Sequence, residues 1–339
     1  MLIKFGSIVT EASGKLGGHL IQHSKGGNQL RTNTIPRTKP SANQYLIRSI
    51  NPVLQAGWRA LTTAQQKIWN DWPISHGIMN AHGDKKPLSG HSLWMKLQFI
   101  LYFYGIYTIF DPFTALAAQK FPWLFDGNTF AFYDYLDTST IVKDSLYHIS
   151  KWSDKLNSGH DLLQPLSAKQ PLLTPDGVLL DGIDDFMQTA TFPLIEPVMI
   201  YFVGRQITWS DQRLIFDGFN DYSGILYQRG YGGGSPLIDA YNRNFVVNIP
   251  GADNEFILNT FAIIKLLFNS NASTLQVNNL TTYTGGGHSV MNGFTLGING
   301  ALTQPPCHIE TKGIVIRTIK DSTAFVSSIY NSLFDYYSL

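Results

Sequence analysis

The chain has 339 residues, enough for two or three domains and a sizeable core. It is 44% hydrophobic and only 14% charged, against about 25% charged in an ordinary soluble domain, so much of its surface is expected to be covered by partners, as in an oligomer or assembly subunit. Its formal net charge is only +1, and Cys307 is its single cysteine, which excludes an intrachain disulfide and points to folding in a reducing compartment.

Residues 1–35 hold three β-like runs, near Ile3–Thr10, Leu16–His23 and Gln29–Ile35, punctuated by Gly14, Gly17-Gly18 and Gly26-Gly27. The stretch Ser13 to Gly18 lacks the Gly-Lys-Ser/Thr ending of a phosphate loop and reads instead as part of a glycine-rich basic β arm over 1–40. The opening Met1–Gly6 is not a signal peptide, because no basic region leads into an apolar stretch with a small-residue cleavage site. The first hundred residues carry eight Lys and four Arg against Glu11, Asp71 and Asp84, a net +9, so the remainder carries −8. This asymmetry suggests an acidic partner. The basic residues are dispersed rather than clustered, which favours an acidic neighbouring subunit over nucleic acid.

After the Pro36–Pro40 break, Ser41 is placed to cap a helix over Ala42–Leu61, with an apolar stripe of Leu46, Ile50, Val53, Leu54 and Trp58 interrupted at Asn51-Pro52. A second helix starts at Thr62 or Thr63. Thr63 and Gln66 have capping-box spacing, Ile68, Trp69 and Trp72 form the buried face, and Pro73 is the expected stop. Leu97–Phe110 carries no charge and is apolar on every face. It falls short of the roughly 20 residues a membrane helix needs, so a buried helix or subunit contact is expected and membrane insertion is not. These residues form a helical region over 41–110, followed by a linker over 111–129 whose aromatic Phe121–Phe125 could seal the parts together.

From Phe130 an alternating pattern takes over. Candidate strands are Phe130–Tyr133, Tyr147–Trp152, Val178–Leu180, Phe186–Ala190, Val198–Arg205, Arg213–Asp217, Gly224–Gln228, Leu237–Tyr241, Phe245–Ile249, Phe256–Phe268, Leu275–Val277, Phe294–Ile298 and Ile314–Ile319. Many short strands between Gly, Asn and Pro turns are what a sandwich produces. The run Gly177–Gln188 reads as a β-hairpin corner, with Asp181-Gly182 as its turn and Phe186 and Met187 returning to the core. Ser322–Tyr336 is a final element in which Phe325, Ile329 and Phe334 could form a short helix face.

Trp152-Ser-Asp154, the Asp181-Gly-Ile-Asp-Asp185 strand end, the apolar Pro197–Val203 run, Gly293–Ile298 and Gly313–Ile319 stand in an order that resembles concanavalin A-like (laminin-G-type) jelly-roll domains, over roughly 130–339. The resemblance implies a mainly β fold, a C-terminal jelly-roll β-sandwich preceded by a small α+β attachment region. Separately, Trp58–Asn70 and Gly90–Leu97 resemble a helix pair and following helix of tailed-phage virion proteins, over residues 13 to 105, with Gln66 where a basic residue is common. That resemblance implies a virion protein made in the bacterial cytoplasm, with other virion proteins as partners and anchored through its N-terminal region. Lys15, Arg31, Arg37, Trp58 and Trp69 are the candidate assembly contacts.

Glycoside hydrolysis needs two carboxylates about 5–10 Å apart. The chain's four Glu (Glu11, Glu196, Glu255 and Glu310) form no such motif; Asp181, Asp184 and Asp185 could substitute but have a sufficient role as turn residues. Asp217, Asn220 and Asp221 add loop oxygens without EF-hand spacing, so no metal or cofactor is expected. Trp209, Tyr222, Tyr227, Tyr231 and Tyr283 lie on or beside glycine-rich loops and are the candidates for contact with a host-surface glycan. The expectation is a non-enzymatic structural component of a phage virion displaying a lectin-like sandwich, with a receptor- or carbohydrate-binding protein as the alternative and a glycosidase third.

Overall fold

The computed structural model describes residues 14–16, 19–24, 27–32, 41–75, 88–103, 121–156, 158–220, 223–229, 237–241, 255–287 and 290–339. The chain divides into two compact units, residues 1–60 and 61–339. The expected strands at Ile3–Thr10 and Phe245–Ile249, and residues 104–110 of the apolar run, lie outside the described residues.

In the first unit β1 (Gly14–Leu16), β2 (His19–Ser24) and β3 (Gly27–Thr32) form an antiparallel meander, followed by α1 (Ala42–Ala60). Ser41 caps α1 reciprocally with Gln44: each backbone N–H donates to the other's side chain, at 3.1 and 3.3 Å. The expected interruption at Pro52 is absent. That residue lies on the exposed side of a continuous helix.

The second unit opens with α2 (Thr63–Ser75) and α3 (Gly90–Phe103). The capping box sits one residue earlier than its expected position: Thr62 and Gln65 exchange backbone-to-side-chain bonds of 2.9 and 3.3 Å. Pro73 is accommodated near the end of α2 rather than stopping it. Trp69 is buried and packs edge-on against Trp94 of α3, with centroids 5.3 Å apart. Among the described residues no helix is long and apolar enough to cross a membrane.

From residue 129 the chain forms β4 (Thr129–Asp134), β5 (Ile141–Lys143), β6 (Ile149–Trp152), β7 (Leu162–Leu163), β8 (Leu172–Leu173), β9 (Val178–Asp181) and β10 (Met187–Gln188). There follow β11 (Leu194–Ile195), β12 (Val198–Gln206), β13 (Leu214–Asp217), β14 (Ile225–Arg229), β15 (Leu237–Tyr241), β16 (Ala262–Phe268), β17 (Ser270–Val277) and β18 (Thr282–Gly287). The chain ends with β19 (Val290–Met291), β20 (Thr295–Leu296), β21 (His308–Arg317) and α4 (Thr323–Tyr337). One sheet runs β15-β14-β13-β20-β10-β7-β6-β5; the other runs β18-β17-β16-β12-β21-β9-β8, with β4 sharing the β9 edge of β21. The chain is therefore mainly β, a two-sheet antiparallel sandwich, as its alternation and turn spacing lead one to expect.

The Gly177–Gln188 stretch corrects one expectation. β9 belongs to one sheet and β10 to the other, so the Asp181-Gly182 corner is a crossover between sheets and not a hairpin. Gly182 does adopt the expected positive φ, +75°. The crossover carries Val178 and Leu180 on one side, and Met187 on the other, into the same inter-sheet core with Trp152, Leu162, Phe216 and Leu296. Asp154 of the Trp-x-Asp motif is buried and accepts the N–H groups of Phe132 (2.8 Å), Leu156 (3.2 Å) and Ser158 (3.1 Å), tying the end of β6 to β4.

β12 is apolar throughout because both of its faces are covered. Val198, Ile200 and Phe202 enter the inter-sheet core, while Met199, Tyr201 and Val203 join a second cluster with Trp123, Phe132, Ile329, Leu333 and Tyr337. α4 thus forms a third layer on the outer face of the second sheet. Its N-cap Ser322 accepts the Phe325 N–H, and its buried face is Ile329, Tyr330, Leu333 and Tyr337 rather than one including the exposed Phe334.

Candidate functional site

The outer face of the second sheet is only partly roofed by α4. Strand register lays two rows across it: Val315, Tyr201, Lys265, Gln276 and Thr282 in one; Arg317, Met199, Leu267, Thr274 and Thr284 in the next. α4 covers these rows from β21 and β12 as far as β16, where Tyr330 lies over Lys265. At its edge lies a groove of about 200 Å³, lined by apolar Met199 and Leu267 of the sheet and Val326 of α4 together with the polar Thr274, Gln276, Thr282 and Thr323. Lys265, Lys320 and Asp321 complete the lining.

The charged groups in this groove are held very differently. Asp321 closes a buried network: Arg317 donates to it through Nε (2.8 Å) and Nη2 (2.9 Å), and the Tyr201 hydroxyl donates at 2.9 Å. Arg317 also holds Asp126 (2.6 Å) and the Trp123 carbonyl (2.9 Å), and the Asp321 carboxylate beside Tyr201 adds to burial in pushing that phenol well above its usual range. Lys265, by contrast, occupies the position between Ile264 and Leu266 on an otherwise apolar strand and is 4% exposed. Its Nζ donates to Asn279 Oδ1 at 2.9 Å and stands 4.7 Å over the Tyr330 ring. Burial lowers its pKa to about 8. Gln276 donates through Nε2 to the Leu280 carbonyl (2.7 Å), fixing the β17–β18 turn beside the groove.

Sequence reasoning did not single out this groove. Its one linear signal is a lysine inside the run Ala-Ile-Ile-Lys-Leu-Leu-Phe268, where a strand covered on both faces should carry none. The loop aromatics are not brought together. Tyr283 packs against the inter-sheet core, on the face of β18 opposite Thr282 and Thr284, and its hydroxyl donates to Glu255 at 3.0 Å. Tyr227 lies in β14 with its hydroxyl 3.5 Å from Asp239 Oδ2, and Trp209 is half-buried in the loop after β12. Tyr222, Tyr231, Asp221 and Arg37 lie outside the described residues, and the side chains of Lys15 in β1 and Arg31 in β3 are likewise undescribed. Trp58 is half-buried in α1, and Trp69 is occupied by Trp94.

Asp181, Asp184 and Asp185 place a ligand oxygen each within 4.8 Å of one another, the sole grouping of metal-ligand type among the described residues. Their bonds explain the cluster as turn chemistry. Asp181 Oδ1 accepts the N–H groups of Ile183 (2.8 Å), Asp184 (3.3 Å) and Asp185 (3.4 Å), and Asp185 Oδ2 accepts that of Asp181 (3.1 Å). Burial, reinforced by the two neighbouring carboxylates, raises Asp185 to about 6. Asp217 is similarly engaged, accepting the N–H groups of Gly218, Ser223 and Gly300.

No family model and no curated protein matches the sequence. Similar solved structures include a Trypanosoma rangeli sialidase (9% identity, TM-score 0.42, covering 61% of this chain and 33% of that one). Domain 4 of an extracellular arabinanase from Geobacillus stearothermophilus gives 11% identity and a TM-score of 0.43, covering 60% and 98% of the two chains. An α-L-arabinofuranosidase gives 16% and 0.45, covering 55% and 50%. The chain thus spans about a third of the length of the sialidase. These neighbours are glycoside hydrolases or a domain of one, and none is a virion protein. The expectation of a non-enzymatic structural component of a virion is withdrawn on that finding.

Proposed function

We propose that the sandwich recognises carbohydrate, through the groove beside α4. The observation that carries this reading is the lining itself: hydroxyl and amide side chains of Thr274, Gln276, Thr282 and Thr323 share the groove with the apolar Met199, Leu267 and Val326. A sugar ring presents C–H faces and a rim of hydroxyls. Such a ligand is matched by a surface that offers both van der Waals contact and donor–acceptor groups. At about 200 Å³ the groove is smaller than the roughly 300 Å³ at which drug-sized pockets begin, which suits one ring rather than a chain. Rigid strands carry most of the lining, so little ordering opposes binding.

The test is titration of the full chain with an oligosaccharide panel, followed by calorimetry or NMR. Gln276→Ala and Thr274→Val should each weaken binding by up to about tenfold, the worth of one neutral hydrogen bond, while leaving the fold intact. Binding that survives both substitutions unchanged would place the site elsewhere. Reducing ends released in the same samples would show that the protein also cleaves glycosidic bonds.

A further inference from the structure

The groove holds a buried cation with no ion-pair partner among the described residues. Lys265 is 4% exposed, its Nζ meets the neutral amide of Asn279 and the ring of Tyr330, and among the described residues no carboxylate lies within ion-pair distance of it. An ammonium removed from water without an opposite charge is costly. Asp321, the acid of the groove, makes no ion pair with Lys265: both of its oxygens bond Arg317 and one also accepts from Tyr201. A second lysine, Lys320, is exposed at the rim and likewise has no acidic partner among the described residues. The first turn of α4 opens on the same space through Thr323, and its dipole favours the same sign of ligand.

We propose that the groove is selective for saccharides bearing a carboxylate, with Lys265 receiving the acid group and Lys320 closing over it; this rests on the carbohydrate reading of the same groove. The ligand's carboxylate supplies the ion-pair partner that Lys265 lacks, and its hydroxyls meet the threonine and glutamine side chains. Selectivity arises because a neutral sugar leaves the lysine uncompensated, whereas an acidic one makes a charge-assisted bond in a partly desolvated site.

The experiment compares matched probes that differ in charge: tetragalacturonate against its carboxyl-reduced galactotetraose, and 3′-sialyllactose against lactose, titrated into the full chain at low salt. The acidic member of a pair should bind about tenfold tighter or more, the worth of a hydrogen bond to a charged group. Lys320→Ala, at an exposed position, should reduce that preference, and Lys265→Met should abolish it, with circular dichroism confirming the fold. Equal binding of both members would overturn the charge selectivity while leaving the carbohydrate reading in place. Binding of neither would overturn both. A preference that persists in both variants would overturn the assignment to these lysines.

Discussion

Removing the Asp321 carboxylate tests the buried network that anchors α4 beside the groove. In Asp321→Ala, Arg317 loses its bonds from Nε and Nη2, and the Tyr201 hydroxyl loses its acceptor. Breaking a buried ion pair from one side costs about 3–5 kcal/mol, because the remaining charge is left uncompensated. Here Arg317 keeps Asp126 at 2.6 Å and the Trp123 carbonyl at 2.9 Å, so the lower end applies, about 3 kcal/mol. At roughly 2–4 °C per kcal/mol for a large domain, the melting temperature should fall by about 6 °C or more. Urea denaturation followed by tryptophan fluorescence reads the loss directly, since Trp123 lies in the cluster under α4. Arg317→Met should cost more than Asp321→Ala, because it leaves both Asp126 and Asp321 without their counter-charge and the Trp123 carbonyl without its donor. A single variant that loses less than about 1 kcal/mol, the level of an exposed ion pair, would refute the argument.

Trp152→Ala should cost about 3–5 kcal/mol in the same assay, as expected of a fully buried indole in the inter-sheet core. Gly297→Ala should destabilise the sandwich by about 1–3 kcal/mol, since φ is +89° and a Cβ there would stand 2.1 Å from Leu180 Cδ2; a neutral result would mean that this turn relaxes freely. Lys265 holds fewer protons in the folded protein than in the unfolded chain between about pH 8 and its usual range, so its burial penalty is present in full below pH 8 and fades as pH rises. The stability of wild type relative to Lys265→Met should therefore improve from pH 8 to pH 10, and a gap that stays constant across that window would contradict it.

Much of the architecture is legible in the chain. Val198–Arg205 announces a strand covered on both faces because each of its alternate positions is apolar, and the structure gives each set its own layer. Trp152-Ser-Asp154 is identifiable as a motif from its order with the later ones, and the structure makes Trp152 a core residue and Asp154 the acceptor that ties β6 to β4. Short strands such as β7, β10 and β20 are less legible, since two residues carry no periodicity and exist as strands only through their neighbours. Local pattern also mistook a crossover for a hairpin at Asp181-Gly182: a tight acidic-glycine turn is the same chemistry in both, and only the partners of β9 and β10 distinguish them.

The candidate site follows the same division. The amino-acid sequence by itself determined a β-sandwich and its main strands, because these depend on alternation, turn residues and apolar content within a few residues, whereas which apolar side chains of the helices are buried was decided by packing: Ile68 and Phe334 are exposed. The groove depended on tertiary structure. Met199, Lys265, Thr274, Gln276, Thr282 and Lys320 come from separate strands and a loop, and become neighbours only when cross-strand register sets them in rows and α4 packs beside them. Whether a lysine on β16 meets water, a carboxylate or an aromatic ring is decided by what packs on that face, and no local pattern records it.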